Sequence, residues 1–251
     1  MKILGFQPES FIDWDKGLAS VIYTGNCNFK CYGCHAGGLI KRTEEISEQD
    51  VLGKIETRKR LVDKIVICGG EPTLEPDLPE FIVKLKMLGM AVKLDTNGSN
   101  PYELEKALKS GVDYVAMDVK SSKDLYRRVI GVEATSALFG KLEQSMKMLY
   151  SLGDNMYEFR TTLFPIQEKD NEFRWMNCDE IKSMCSWIEQ ITGKKQHKHY
   201  IQGFKAREDE LMIDPNFGKR SLPEAYHETP KNVVKDIVDA VNSSGYNLFV
   251  R

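Results

Sequence analysis

The chain has 251 residues, 41% hydrophobic and 29% charged, which supplies a sizeable core and argues against general disorder. A formal net charge of -2 gives no broad basic field, so non-specific nucleic-acid binding is not expected. No apolar run reaches the roughly 20 residues of a membrane span, and residues 1–8 lack the apolar core of a secretion signal, so a cytoplasmic protein without a membrane partner is expected. Apolar, β-rich runs are predicted at 18–23, 64–68, 90–94, 113–117, 157–163 and 199–201. Between them, apolar residues at three- and four-residue spacing predict helices over 47–61, 78–88, 101–109, 136–152 and 179–191. Ser47 with Asp50 reads as a helix start, Pro101 fits a first helical turn, and Gly89 and Gly111 stand where helices stop.

This alternation predicts a parallel α/β sheet with right-handed crossovers: a single domain forming a partial (β/α)6 TIM-like barrel over about 18–204, with a C-terminal extension over 205–251. Segments 168–177 and 205–229 lack the rhythm and read as long loops; a helix at 231–241 and an apolar tail at 246–250 follow. Chemistry in such folds gathers at the carboxyl ends of the strands, which directs attention to 24–38, 69–73, 95–99, 118–122 and 202–205.

Cys27, Cys31 and Cys34 crowd into eight positions. In a reducing compartment, clustered thiols favour a metal over disulfides. Three thiolates can bind three irons of a cubane and leave the fourth open to a ligand, since thiolate sulfur suits iron–sulfur assembly. An amino acid such as methionine can chelate there through its amine and carboxylate. A zinc knot that adds His35, or three unrelated buried cysteines, are the competing readings.

The spacing CxxxCxxC after a first strand resembles the radical S-adenosylmethionine (SAM) superfamily. Gly69, Gly70, Glu71 and Pro72 directly follow a predicted strand and are similar to that superfamily's site for the SAM amino group. Leu94 to Gly98 and Met117 to Lys120 each put a carboxylate at a strand end; on their own they read as Asx turns with a solvated lysine. With the cysteines, and with Tyr126, Gly131 and Arg160, they resemble the glycyl-radical-enzyme activases. Gly5 to Gln7, Phe11 to Trp14 and Gln202 to Phe204 resemble the activating proteins of anaerobic ribonucleoside-triphosphate reductase in particular.

The resemblance implies a barrel of the radical SAM type with a [4Fe–4S] cluster on Cys27, Cys31 and Cys34. Gly69, Gly70 and Glu71 would hold the methionine amino end of SAM. Asp95, Asn97 and Lys120, helped by Arg160, would hold its ribose and carboxylate region, and Asp95 and Asp118 would flank a monovalent cation. The implied reaction is reductive cleavage of SAM to a 5′-deoxyadenosyl radical, which takes a hydrogen atom from a backbone glycine of the partner enzyme. A flavodoxin or ferredoxin-type protein would donate the electron. Another glycyl-radical enzyme of the pyruvate formate-lyase type, a small-molecule substrate, and a non-enzymatic iron–sulfur or zinc protein are the alternatives. One departure stands out. The family places an aromatic residue directly before the third cysteine and Asn after the following His, whereas this chain has Tyr32, Gly33, Cys34, His35 and Ala36.

Cys68 ends an apolar run and reads as a core thiol. Cys178 and Cys185 lie two turns apart on one predicted helix and cannot complete a second four-thiolate cubane. His197 and His199 alternate on a predicted strand expected to be partly exposed, and the methionines of 146–156 read as core.

Overall fold

A computed structural model gives the fold, and the structure describes residues 1–15, 17–40, 42–168, 172–208 and 212–251. The chain divides into two compact units, one of Met1–Asn28 with Leu39–Ala116 and one of Phe29–Gly38 with Met117–Arg251.

In the first unit, β1 (Ile3–Ser10) runs antiparallel to β2 (Ala19–Thr24), which lies parallel to β3 (Lys64–Gly69), itself parallel to β4 (Ala91–Thr96). Helices α2 (Glu48–Arg58), α3 (Leu78–Met87) and α4 (Pro101–Lys109) follow in chain order, after a short α1 (Gly37–Ile40). The register sets Thr24 opposite Gly69, so β2 and β3 end level with each other. α3 buries Leu78, Phe81, Ile82 and Leu85, the spacing of one helix face, and each is worth about 1.5–3 kcal/mol of transfer out of water. Ser47 caps α2 by accepting the Asp50 N–H at 3.0 Å, as its sequence pattern predicts.

Strand β5 (Tyr114–Asp118) carries the chain into the second unit. There α5 (Tyr126–Ile130), α6 (Ser136–Leu152), β6 (Tyr157–Leu163), β7 (Pro165–Gln167), β8 (Phe173–Trp175), α7 (Cys178–Thr192), β9 (His199–Gly203), α8 (Lys231–Asn242) and β10 (Leu248–Val250) follow. β6, β9 and β10 are mutually parallel in that order. The strand order is β1-β2-β3-β4 in the first unit and β6-β9-β10 in the second, and mostly parallel strands alternating with helices are the expected α/β class. All six predicted strands and all six predicted helices are present, with ends shifted by no more than a few residues.

Three expectations are corrected. Strand β1 escaped prediction because Pro8 and two register shifts break its alternation; it tolerates both as an edge strand. Within 168–177, Phe173–Trp175 is not loop: it forms β8, which pairs antiparallel with β7, and Arg174 bonds Glu168 at 2.8 Å and Glu180 at 2.6 Å. Among the described residues of 205–229, Met212, Phe217, Leu222 and Thr229 are buried, and Phe217 packs against Tyr32 and Phe173. Residues 169–171 and 209–211 of those two segments lie outside the described residues.

The two histidines are also buried rather than partly exposed. His197 Nδ1 meets the Tyr157 hydroxyl at 2.8 Å and its Nε2 meets Thr192 Oγ1 at 2.9 Å, while His199 Nε2 meets Thr161 Oγ1 at 2.9 Å. Satisfied hydrogen bonds are what let a polar ring sit in a core. Cys185 is buried on α7 and its thiol is pushed up to about 12 by burial, which makes it inert. Cys178 opens the same helix, and Cys68 leans half-buried on Ala19, Val21 and Val66.

Candidate active site

In the first unit, the turns after β2, β3 and β4 interlock. Gly70 donates its N–H to Thr24 O at 3.2 Å, and Glu71 donates its own to Asn26 O at 2.7 Å, beside Cys27. Gly69 sits at φ +111°, a conformation that disfavours any side chain, and a Cβ on Gly70 would run into the carbonyls of Gly25 and Asn26. The two glycines therefore present bare backbone against the segment that carries Cys27.

Glu71 is only 1% exposed. Its Oε1 accepts from Thr73 N at 3.1 Å, Thr73 Oγ1 at 2.5 Å and Thr96 Oγ1 at 2.7 Å, and its Oε2 accepts from Asn97 N at 2.6 Å. The carboxylate joins two turns through these four bonds. Burial holds its pKa above the ordinary value against these donors. Asn97 is likewise a brace: its Nδ2 donates to Asn28 Oδ1 at 3.0 Å and its Oδ1 accepts from Ser99 N at 2.9 Å. Asn28 Nδ2 closes the ring by donating to Ser99 Oγ at 2.7 Å. Asn28, Thr96 and Ser99 were not singled out in the sequence, although Asn28 stands inside the cysteine motif and Thr96 beside Asp95.

Asp95 lies at the end of β4, with its carboxylate 3.5 Å from the ammonium of Lys93, a side chain only 2% exposed. Lys93 also donates to Asp13 O at 2.6 Å, so a buried charge absent from the sequence reading underlies Asp95.

In the second unit, Cys31 and Cys34 flank a turn closed by Cys34 N donating to Cys31 O at 3.0 Å. Helix α5 holds this segment: Lys30 N donates to Ile130 O at 2.9 Å, and Tyr32 N to Val129 O at 3.4 Å. Gly131 ends α5 at φ +65°, where a Cβ would strike the Lys30 carbonyl, which explains the glycine. The Tyr32 ring stacks on Phe217 at 5.3 Å between centroids.

Asp118, at the end of β5, accepts from Arg160 Nε at 3.0 Å and Lys120 Nζ at 2.8 Å. Burial alone would raise the Asp118 pKa, but the charges of Arg160 and Lys120 outweigh it and lower it to about 2. For Lys120 burial opposes the charge, yet Asp118 and the thiols of Cys31 and Cys34 keep the ammonium protonated well above its ordinary range. Burial pushes the Cys34 thiol up, opposed by the Ala36 backbone and Lys120. Asp118 thus answers two cations within its own unit, and Asp95 lies beside the Lys93 ammonium within its own.

In a cubane each thiolate takes its own iron at a separate corner. The donor chemistry fits: Cys27, Cys31 and Cys34 form no disulfide, and each is carried by a segment pinned through its backbone.

Residues 21–174, more than half of the chain, match the family model of the radical SAM superfamily. A protein of Methanocaldococcus jannaschii, assigned by inference as a glycyl-radical enzyme activating enzyme, is 32% identical over 181 residues, covering 68% of this chain and 72% of that protein. A protein of Thermococcus kodakarensis, assigned by inference as a GTP 3′,8-cyclase, is 31% identical over 137 residues, covering 53% of this chain but only 45% of the relative. Among solved structures, a radical SAM methyltransferase from Sphaerobacter thermophilus superposes with a TM-score of 0.66 at 12% identity, covering 97% of this chain and 68% of that one. SuiB of Streptococcus suis bound to S-adenosylmethionine superposes with a TM-score of 0.59 at 14% identity, covering 92% of this chain and 49% of that one. At such identities the structures speak to the fold alone, and they share its partial TIM-like barrel class. This chain belongs to the radical SAM superfamily, whose members use a [4Fe–4S] cluster and S-adenosylmethionine.

Proposed function

We propose that this protein is an activase that generates a glycyl radical on a partner enzyme, anaerobic ribonucleoside-triphosphate reductase. The carrying observation is that the match to the inferred activating enzyme runs over 72% of that relative, whereas the match to the inferred cyclase stops at 45%. When bound, the cluster supplies one electron to the SAM sulfonium, giving methionine and a 5′-deoxyadenosyl radical that takes one hydrogen atom from the partner's glycine.

The chain's own residues bind and orient. Cys27, Cys31 and Cys34 hold the cluster. Gly69, Gly70 and Glu71 receive the methionine amino end of SAM, and Asn97 joins Asp95 toward its ribose, with Glu71 and Asn97 also keeping that turn in place. Asp95 offers a carboxylate to the ribose hydroxyls, and Lys120 and Arg160 offer positive charge to the SAM carboxylate. Because Asp118 holds both cations, they are oriented before SAM arrives, which reduces the ordering cost of binding. A flavodoxin or ferredoxin-type donor in the cytoplasm would provide the electron. No helix is long and apolar enough to cross a membrane among the described residues.

The cyclase likeness favours a second reading, in which the substrate is a small molecule. Electron paramagnetic resonance separates the two. Reduced protein with SAM and the reductase is expected to give a glycyl doublet; a reductase that acquires no radical while a nucleotide is consumed would favour the second.

A further inference from the structure

The turn that carries Cys31 and Cys34 has no side chain at Gly33, and two phenylalanines from elsewhere in the second unit fill the space. A Cβ on Gly33 would run into the Phe164 ring and lie 3.0 Å from the Phe204 ring. Gly33 does not adopt positive φ, so what the position requires is room, not conformational freedom. Phe164 is 8% exposed and Phe204 is fully buried, with their ring centroids 5.8 Å apart. The ring of His35 lies 5.7 Å from that of Phe204, on the other side of Cys34 in the chain.

Both phenylalanines are fixed through their backbones by one hydroxyl. Thr229 Oγ1 accepts the Phe204 N–H at 2.8 Å and donates to Leu163 O at 3.0 Å, directly before Phe164. Thr229 N also donates to Phe204 O at 2.9 Å. The ends of β6 and β9 are thus tied together at the point where the two rings leave them.

We propose that Phe164 and Phe204 are positioning residues for the cysteine turn. They supply from β6 and β9 the apolar bulk that the turn itself lacks at position 33, hold Cys31 and Cys34 in place, and keep water from that side of the cluster. An apolar shell of this kind governs solvent access to a metal site and the stability of its ligand set. The inference rests on the cluster reading of Cys31 and Cys34 given above.

The test uses the full-length chain with Phe164→Ala, Gly33→Phe and the combined Gly33→Phe/Phe164→Ala. In the iron-free protein, alkylation of each cysteine is followed by peptide mass mapping, with buried Cys185 as the internal control for global unfolding. Phe164→Ala should speed alkylation of Cys31 and Cys34 by about tenfold relative to Cys185, because reaction of a covered thiol follows how often its cover opens. After anaerobic reconstitution, the same variant should release iron to a chelator several-fold faster than the parent. Gly33→Phe should show the same two changes by displacing the turn. The combined variant should recover most of both, since a ring returns to the same volume from the opposite side. Parent-like alkylation and iron release in Phe164→Ala, or a combined variant as poor as both single changes together, would overturn the proposal. If Phe164→Ala exposes Cys185 as well, Phe164→Leu takes its place in the same comparison. A parent protein that takes up no iron would instead overturn the cluster reading, and labelling of the iron-free protein would then report on the turn alone.

Discussion

The carboxylate of Glu71 accepts the backbone N–H of Asn97 at 2.6 Å, which makes the turns after β3 and β4 one bonded assembly. Replacing Glu71 by Gln removes an acceptor and turns an amide donor toward existing donors. The iron-free protein should lose about 1–3 kcal/mol of stability, the cost of a buried group left unsatisfied, read as a lower denaturant midpoint. Were Glu71 a ligand contact alone, Glu71→Gln would unfold like the parent and lose only SAM affinity.

Asp118 carries two cations, and its acid behaviour follows from them. Its pKa is lowered from 3.8 to about 2, so it contributes stability that is full above the ordinary value and is lost as pH falls through about 2. Asp118→Asn should therefore flatten the acid limb of the stability curve between those values. At neutral pH it should cost about 1–3 kcal/mol, between the worth of exposed and buried ion pairs. Calorimetric SAM titrations should show weaker binding, because Lys120 and Arg160 lose the anion that orients them. Parent-like binding would remove this set from the site.

His199 gives a second pH signature in a different window. Burial, reinforced by the positive charge of a protonated His197, lowers its pKa from 6.5 to about 3. The unfolded chain takes up a proton near 6.5 and the native protein does not, so stability should fall as pH drops from about 6.5 toward about 3. Thr161 directs its hydroxyl proton to Val119 O at 2.6 Å, so His199 Nε2 is the donor to Thr161, a role that glutamine can reproduce. His199→Gln should reduce the pH slope over that window, measured by denaturant unfolding at a series of pH values. An unchanged slope would place the acid sensitivity elsewhere.

Much of this architecture was legible in the sequence because periodicity reports burial directly. The run 157–163 and the helix 136–152 appear with the predicted ends, and the cysteine spacing identified the superfamily. What the sequence could not reveal is which side chains turn inward to hold the turns. Glu71 and Asn97 have the right chemistry for a ligand, and nothing in the sequence signals that they also bond four and three times to neighbouring groups and so brace the turns. Lys93 looked like an ordinary strand lysine and proved to be buried beside Asp95. The hairpin of β7 and β8 was hidden because its strands are three residues each, too short for an alternating pattern to register. The packed segment near Phe217 has no periodicity at all, since its buried residues are irregularly spaced.

Deleting 205–229 would remove Thr229 and Phe217 and so disturb the cysteine turn. A finer test is Thr229→Val, which keeps the shape and removes the hydroxyl that joins Leu163 O to Phe204 N. It should cost about 1–3 kcal/mol by leaving buried backbone groups unsatisfied, and Thr229→Ser should recover most of it. Equal stability for Val and Ser would show that the hydroxyl plays no part in tying β6 to β9.

The central claim is that Cys27, Cys31 and Cys34 hold a SAM-binding cubane. Electron paramagnetic resonance of the anaerobically reconstituted, reduced protein, recorded with and without SAM, tests it most directly. The parent should hold about four irons per chain and give a reduced-cluster signal whose shape changes when SAM is added. Ala at any of the three positions should remove that signal, while Ala at Cys178 or Cys185 should leave it. Stoichiometric zinc without iron, or a cluster signal that survives the loss of Cys27, Cys31 or Cys34, would contradict the account.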